Sequence, residues 1–165
     1  MFSKACEYGI KAIIYIATQS LEGKRVKIVD VVENSGSPAA FTGKVLGSLT
    51  KHNIVHSLTG PHGGFYIDPG RMKRIRASDI VFAIDGDTVY NGCALGLTEC
   101  SNTQPCPMHD KFVKVRNELK KMLETTTVHD LAGSVIWRWR PTSAAAAGLG
   151  AIRYGSREVF DAWRS

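Results

Sequence analysis

Three of the chain's four cysteines, Cys93, Cys100 and Cys106, lie within fourteen residues in the spacing C-x6-C-x5-C. Thiolates are the usual protein ligands of iron-sulfur clusters, and three on one loop can converge on a cluster without a regular scaffold. Structural zinc favours closely spaced pairs such as C-x2-C. This loop offers only the C-x2-H pair of Cys106 and His109. His109 stands one helical turn after the last cysteine, where its imidazole can turn to the same centre or serve only as a helix-start residue. Free thiols open to oxidation are a third use of the same residues. A thiol oxidoreductase requires C-x-x-C at a helix start, which the chain lacks, and no paired carboxylates, nucleophile motif or phosphate loop points to another catalyst. The fourth cysteine, Cys6, sits in an apolar periodicity that marks it as a buried structural thiol.

The whole chain narrows these choices. With 44% hydrophobic and 22% charged residues over 165 positions, it has the composition of a soluble globular protein. Its start, MFSKACEYG, lacks a secretory pattern, and no stretch is apolar for the length of a membrane span, so the expected compartment is the cytoplasm. Thiols are kept reduced there, which favours a metal or redox site over disulfides. Residues 1–76 hold eleven Lys+Arg against five Asp+Glu, whereas residues 77–132 hold five against eight. A basic first part joined to an acidic second part fits a nucleic-acid-facing module attached to something else.

The elements that must position these residues follow from periodicity. Cys6, Ile10, Ile13, Ile14, Ala17 and Leu21 line one face of a first helix. A second helix spans 27–34 and stops at Ser35-Gly36; Ser37 then caps a third helix, with Pro38 in its first turn. Phe41, Val45, Leu46 and Leu49 give that helix its buried face. Gly43 and Gly47 each cost it on the order of 1 kcal/mol, so either the backbone packs closely there or the helix is shorter. Two short helices joined by a three-residue turn read as a helix-turn-helix. Residues 54–58 and 65–67, joined by the turn TGPHGG, read as a β-hairpin wing. A basic connection leads to the helix DIVFAID, capped by Ser78 and ended by Gly86. After the cysteine loop, a helix over 110–124 places Phe112, Val115, Leu119 and Met122 at coiled-coil spacing, a seam for a second subunit. The fold class is therefore mainly α with a small β-hairpin wing: a winged helix-turn-helix over 1–76, a cysteine loop and dimerisation helix over 77–132, and an atypical tail over 133–165. That tail, with all three tryptophans and no coherent period, reads as an appended extension.

In this order, the first helix KACEYGIKAIIYIA, the turn-helix pair, the wing LTGPHGGFYI, the helix SDIVFAID and three cysteines before a long helix resemble the Rrf-type family of bacterial winged-helix transcriptional regulators, over about residues 1–132. The resemblance implies a homodimer on a partly palindromic operator in double-stranded DNA. It also implies, as in many members, an iron-sulfur cluster, [2Fe-2S] or [4Fe-4S], held by Cys93, Cys100 and Cys106. Two residues match fourth-ligand positions found within the family: His109, and Glu7, whose counterpart in some relatives reaches the cluster of the opposite subunit. Thr59 stands where relatives often carry a wing arginine before Gly-Pro, which weakens minor-groove reading by the wing. The expected DNA contacts are Ala40, Thr42, Lys44, Ser48 and Lys51 on the third helix, with Thr59 and His62 on the wing. The expected function is a repressor whose DNA affinity follows a cluster that senses nitric oxide, redox or iron-sulfur status. The alternatives are a metal-free regulator using its thiols, an effector or a partner protein, and a zinc-stabilised DNA-binding protein.

Overall fold

Ser3 starts the first helix: its hydroxyl accepts the backbone N–H of Cys6 at 3.0 Å, supplying a partner that a helix N-terminus otherwise lacks. In the computed structural model, which describes residues 2–92, 103 and 105–133, α1 spans Lys4–Leu21. Its buried line passes through Cys6, Gly9, Ala12, Ile13, Ile16, Ala17 and Ser20. Ile10 and Ile14 lie at the margin of this line and Leu21 is exposed. The line ends instead on Ser20, whose hydroxyl donates to the Ile16 carbonyl at 2.7 Å and accepts the N–H of Ile67 at 3.0 Å.

The helix-turn-helix comprises α2, Ile28–Ser35, and α3, Ala39–Lys51, separated by Gly36, Ser37 and Pro38. Gly36 ends α2 at φ 65°, a left-handed conformation that glycine adopts without the usual Cβ penalty. The expected cap of α3 is displaced by one residue. Pro38 occupies the N-cap, while the Ser37 hydroxyl bonds sideways to Ser35 Oγ at 2.7 Å and to Thr42 Oγ1. The turn is thus tied internally by buried hydroxyls, leaving none of these three groups to be satisfied by water.

Strands β1, His56–Leu58, and β2, Gly64–Tyr66, pair antiparallel with His56 opposite Tyr66 and Leu58 opposite Gly64. Their flanks Ile54, Val55 and Ile67 belong to the core rather than to the ladder. Inside the basic connection lies a short helix not expected from its charge, α4, Pro69–Met72, begun by the Asp68 carboxylate on the N–H of Gly70 at 2.8 Å. It buries Met72, and Ile75 follows into the same core.

Helix α5, Ala77–Asp85, begins one residue before the expected Ser78 cap, with the Asp79 carboxylate accepting the Arg76 N–H at 2.8 Å. A short α6, Thr88–Asn91, precedes the long α7, His109–Thr125, and α8, Val128–Gly133, closes the described chain. Ile80 and Ala83 of α5 and Val128 and Ala132 of α8 share one core with α1, α2 and α3. A second cluster of Cys6, Ala77, Val81 and Leu123 seats α7 against α5 and α1. Residues 134–165 lie outside the described residues. Among the described residues, no helix is long and apolar enough to cross a membrane.

Candidate DNA interface and cysteine site

Helix α3 runs its full expected length through both internal glycines. Gly43 has only ordinary contact with Ile28, and nothing lies within 4 Å of a Cβ built on Gly47. Close packing therefore does not explain Gly47. Instead it completes an exposed line, Ala40, Lys44, Gly47 and Lys51, which recurs at helical spacing on the face opposite Val45, Leu46 and Leu49.

Two other expected contacts are placed differently. Thr42 turns inward at 2% exposure, its hydroxyl joined to Ser37 and donating to the Pro38 carbonyl at 3.1 Å, so it braces the turn and is corrected from a DNA contact to an internal residue. Ser48 is half-buried, and its hydroxyl donates to the Ala83 carbonyl at 2.5 Å, which fastens α3 to α5. Phe41, expected in the core, is exposed at the edge of α3, edge-on to Tyr8 with ring centroids 6.0 Å apart. On the wing, Thr59 and His62 are both exposed, as a contact role requires. The module presents a basic helix face and a polar loop.

Of the cysteine site, Cys106 and His109 are described, while Cys93 and Cys100 lie outside the described residues. The backbone N–H of His109 donates to the Cys106 carbonyl at 2.9 Å, closing a turn that leads directly into α7. The thiol is half-exposed and the imidazole buried at 8% exposure, so a soft sulfur and a nitrogen donor stand within one turn. This pair suits iron as well as zinc. Glu7 lies in the first turn of α1, its carboxylate paired with Lys4 Nζ at 2.8 Å. Among the described residues, no three His, Cys, Asp or Glu side chains gather into a metal site.

Cys6 is different in kind. It is fully buried, and burial, reinforced by the charge and hydrogen bond of Asp85, pushes its thiol up to about 12. A thiol that resists ionisation is a poor ligand and a poor nucleophile. Along α7, Phe112 and Leu119 are half-buried, while Val115 and Met122 are 57% and 52% exposed. Leu123, outside the heptad seam, anchors the helix within the subunit, with Leu119 packed against the same cluster. Met108, seven residues before Val115 as Val115 is before Met122, extends the exposed apolar line.

The sequence pattern of the Rrf2 family, described as iron-dependent transcriptional regulators, matches residues 2–134. The chain belongs to the Rrf2 family. It is a winged-helix transcriptional regulator and not an enzyme. A putative HTH-type transcriptional regulator of Aquifex aeolicus is 28% identical over 133 residues, covering 79% of this chain and 90% of that protein. The HTH-type transcriptional regulator IscR of Photorhabdus laumondii is 23% identical over 127 residues, 77% of this chain and 76% of that one. Among solved structures, CymR, the global cysteine regulator of B. subtilis, superposes with a TM-score of 0.64 at 19% identity over 81% of this chain and 96% of its own. The IscR of T. potens superposes at 0.59, again at 19% identity, over 81% of this chain and 86% of its own. At these identities the structural likeness establishes the fold shared across Rrf2 regulators.

Proposed function

We propose that this Rrf2 regulator acts in the cytoplasm as a homodimeric repressor on a partly palindromic operator, and that an iron-sulfur cluster held by Cys93, Cys100 and Cys106 controls its affinity. The observation that carries the reading is the Cys106–His109 turn, which places a half-exposed thiol and a buried imidazole at the root of α7. His109 is the proposed fourth ligand; Glu7 is the alternative, freed from Lys4 when it reaches a partner subunit. When bound, the cluster supplies iron and sulfide atoms that react with nitric oxide and oxidants.

The chain's own residues supply the transmission. Cys106 is joined by backbone to the first turn of α7, and Leu123 of α7 packs with Val81 of α5. Ser48 ties α3 to that same α5. A shift at the cysteine turn therefore passes through packed elements to the face carrying Lys44 and Lys51. The exposed line Met108, Val115 and Met122 supports pairing of α7 with its copy, which sets the separation of the two α3 helices and hence the half-site spacing. The proposed DNA contacts are Ala40, Lys44 and Lys51 with Thr59 and His62, Ser48 acting through position.

A second reading rests on Cys106 being a free and only half-buried cysteine: such a thiol can itself be the oxidisable group in a metal-free regulator. Anaerobic purification followed by a visible spectrum, with iron and acid-labile sulfide analysis, separates the two. Brown protein with matching iron and sulfide, bleached by Cys106→Ala and unaffected by Lys44→Ala, supports the cluster. Colourless zinc-rich protein indicates a structural zinc site, and colourless metal-free protein after attempted reconstitution indicates thiol sensing. A triple cysteine variant that kept its iron would exclude these ligands altogether.

A further inference from the structure

We propose that Arg25, in the linker between α1 and α2, is a DNA-backbone contact that provides the wing with a cation. The wing turn, residues 59–64, contains no lysine or arginine. Its nearest guanidinium is delivered from another part of the chain. Val26 forms an isolated antiparallel bridge with Phe65, its N–H reaching the Phe65 carbonyl at 3.1 Å and its carbonyl accepting the Phe65 N–H at 2.8 Å. The linker thus lies along the hairpin as a third, minimal strand. Gly64 permits it: at φ 145° it adopts a backbone that side-chain-bearing residues rarely take, and a Cβ there would stand 2.7 Å from the Val26 carbonyl oxygen.

Extended backbone sends alternate side chains to opposite sides. Val26 goes into the core at 4% exposure, and Arg25 and Lys27 go outward. Arg25 is then fixed by two further contacts. Its guanidinium donates to the His62 carbonyl at 3.2 Å, and its central carbon lies 5.3 Å from the Tyr66 ring centroid. Stacking and a single hydrogen bond orient the guanidinium while using one of its five N–H donors. The side chain is held against the wing but remains exposed.

Beside it lies a cleft of about 540 Å³ between the start of α2 and the wing tip, walled by Arg25, Lys27, His62 and Gly63. The one carboxylate on its lining, Asp30, accepts the Lys27 backbone N–H at 2.8 Å and is committed to the cap of α2. Two permanent cations against one such carboxylate leave the cleft attractive to an anion. On a transcriptional regulator, flanking the wing, the anion we assign is a phosphate of duplex DNA. Such a contact positions the protein and is indifferent to base sequence. The inference rests on α3 and the wing forming the DNA face, and the test separates the two ideas.

The full chain is titrated by fluorescence anisotropy with a labelled mixed-sequence duplex of about 30 base pairs, between about 50 and 200 mM salt. Losing one phosphate contact lowers the slope of log K against log salt by about 0.9, and in the homodimer the substitution removes one contact from each subunit, so Arg25→Gln should lower the slope by about 1.8 and lose about twelvefold less affinity than the parent across that range. Arg25→Lys retains a charge and should retain the slope. Lys121→Gln, on the exposed side of α7, controls for net charge and should leave the slope alone. Circular dichroism melts confirm that each variant is folded. An unchanged slope in Arg25→Gln while Lys44→Ala lowers it overturns the Arg25 contact and leaves the α3 reading intact. An unchanged slope in both overturns the DNA face itself. Equal loss in Lys121→Gln, or loss in Arg25→Lys as well, also overturns the contact.

Discussion

Asp85, the last residue of α5, accepts both the backbone N–H of Ser3, at 2.9 Å, and the Ser3 hydroxyl, so the residue that caps α1 is itself held by the end of another helix. The arrangement places a carboxylate at the positive end of α1, where an anion is stabilised by the helix dipole. The Asp85 charge also acts on Cys6 and helps to push that thiol up. Asp85→Ala should lower stability by about 1.5–3 kcal/mol, the range for hydrogen bonds to a charged group. Asp85→Asn, which keeps one acceptor oxygen, should lose less. Urea unfolding midpoints measure both, and an unchanged midpoint in the alanine variant would show that the junction contributes nothing.

Cys6 should remain unmodified where Cys106 reacts. The Cys6 thiol is fully buried and pushed up to about 12 by burial first and Asp85 second, whereas Cys106 is half-exposed. Iodoacetamide treatment of metal-free protein near pH 8, with peptide mass spectrometry, should label Cys106 and spare Cys6 until denaturant is added. The pH dependence follows. Below the ordinary thiol range Cys6 is protonated whether the chain is folded or not, so its contribution is fully present there. As pH rises through that range toward about 12, the unfolded chain ionises first and stability declines. Cys6→Ala should remove that alkaline decline; a decline of the same size in the variant would assign it to other groups.

Much of this architecture could be read from the chain because its punctuation is local. Gly36 has the left-handed φ that ends α2, and the glycines and proline of the 59–64 turn announce the hairpin. The elements that escaped notice are short. Helices α4, α6 and α8 span too few residues to show a period, and the exposed charges of Lys73, Arg74 and Arg76 conceal the burial of Met72 and Ile75. Thr42 and Ser37 look like surface residues by polarity, yet they are buried because each hydroxyl finds its partner in the other. Leu123 falls outside the 112–115–119–122 seam, but tertiary packing on Val81 makes it the inward residue. The cysteine site was legible as spacing alone. Only its Cys106–His109 end is described, and two other expected ligands, Cys93 and Cys100, lie outside the described residues.

The exposed apolar line on α7 predicts the outcome of charging it. Val115 and Met122 are more than half exposed and lie two helical turns apart, so each can be changed without opening the subunit core. The double variant Val115→Glu with Met122→Glu should shift the protein from dimer to monomer in sedimentation velocity, while its circular dichroism spectrum stays helical. DNA binding should fall with it, because two linked half-sites bind more tightly than one. A variant that remained dimeric would place the interface on another surface.

Gly47 offers the sharpest test of the α3 face, because stability and function should move in opposite directions. It lies in the interior of a helix of thirteen residues, is exposed, and has nothing within 4 Å of where a Cβ would stand. Glycine at such a position costs about 0.5–1 kcal/mol relative to alanine through the freedom it surrenders on folding. Gly47→Ala should therefore raise the unfolding midpoint by that amount, with no neighbour to resist the added methyl. Yet Gly47 stands between Lys44 and Lys51 on the face proposed to meet DNA, where a missing side chain lets a base edge or sugar approach the helix backbone. The same substitution should weaken binding to the operator about tenfold, equivalent to about 1.4 kcal/mol. A stabilised variant with undiminished affinity would show that DNA does not approach α3 at this point, and would move the contact surface toward Ala40 or the wing.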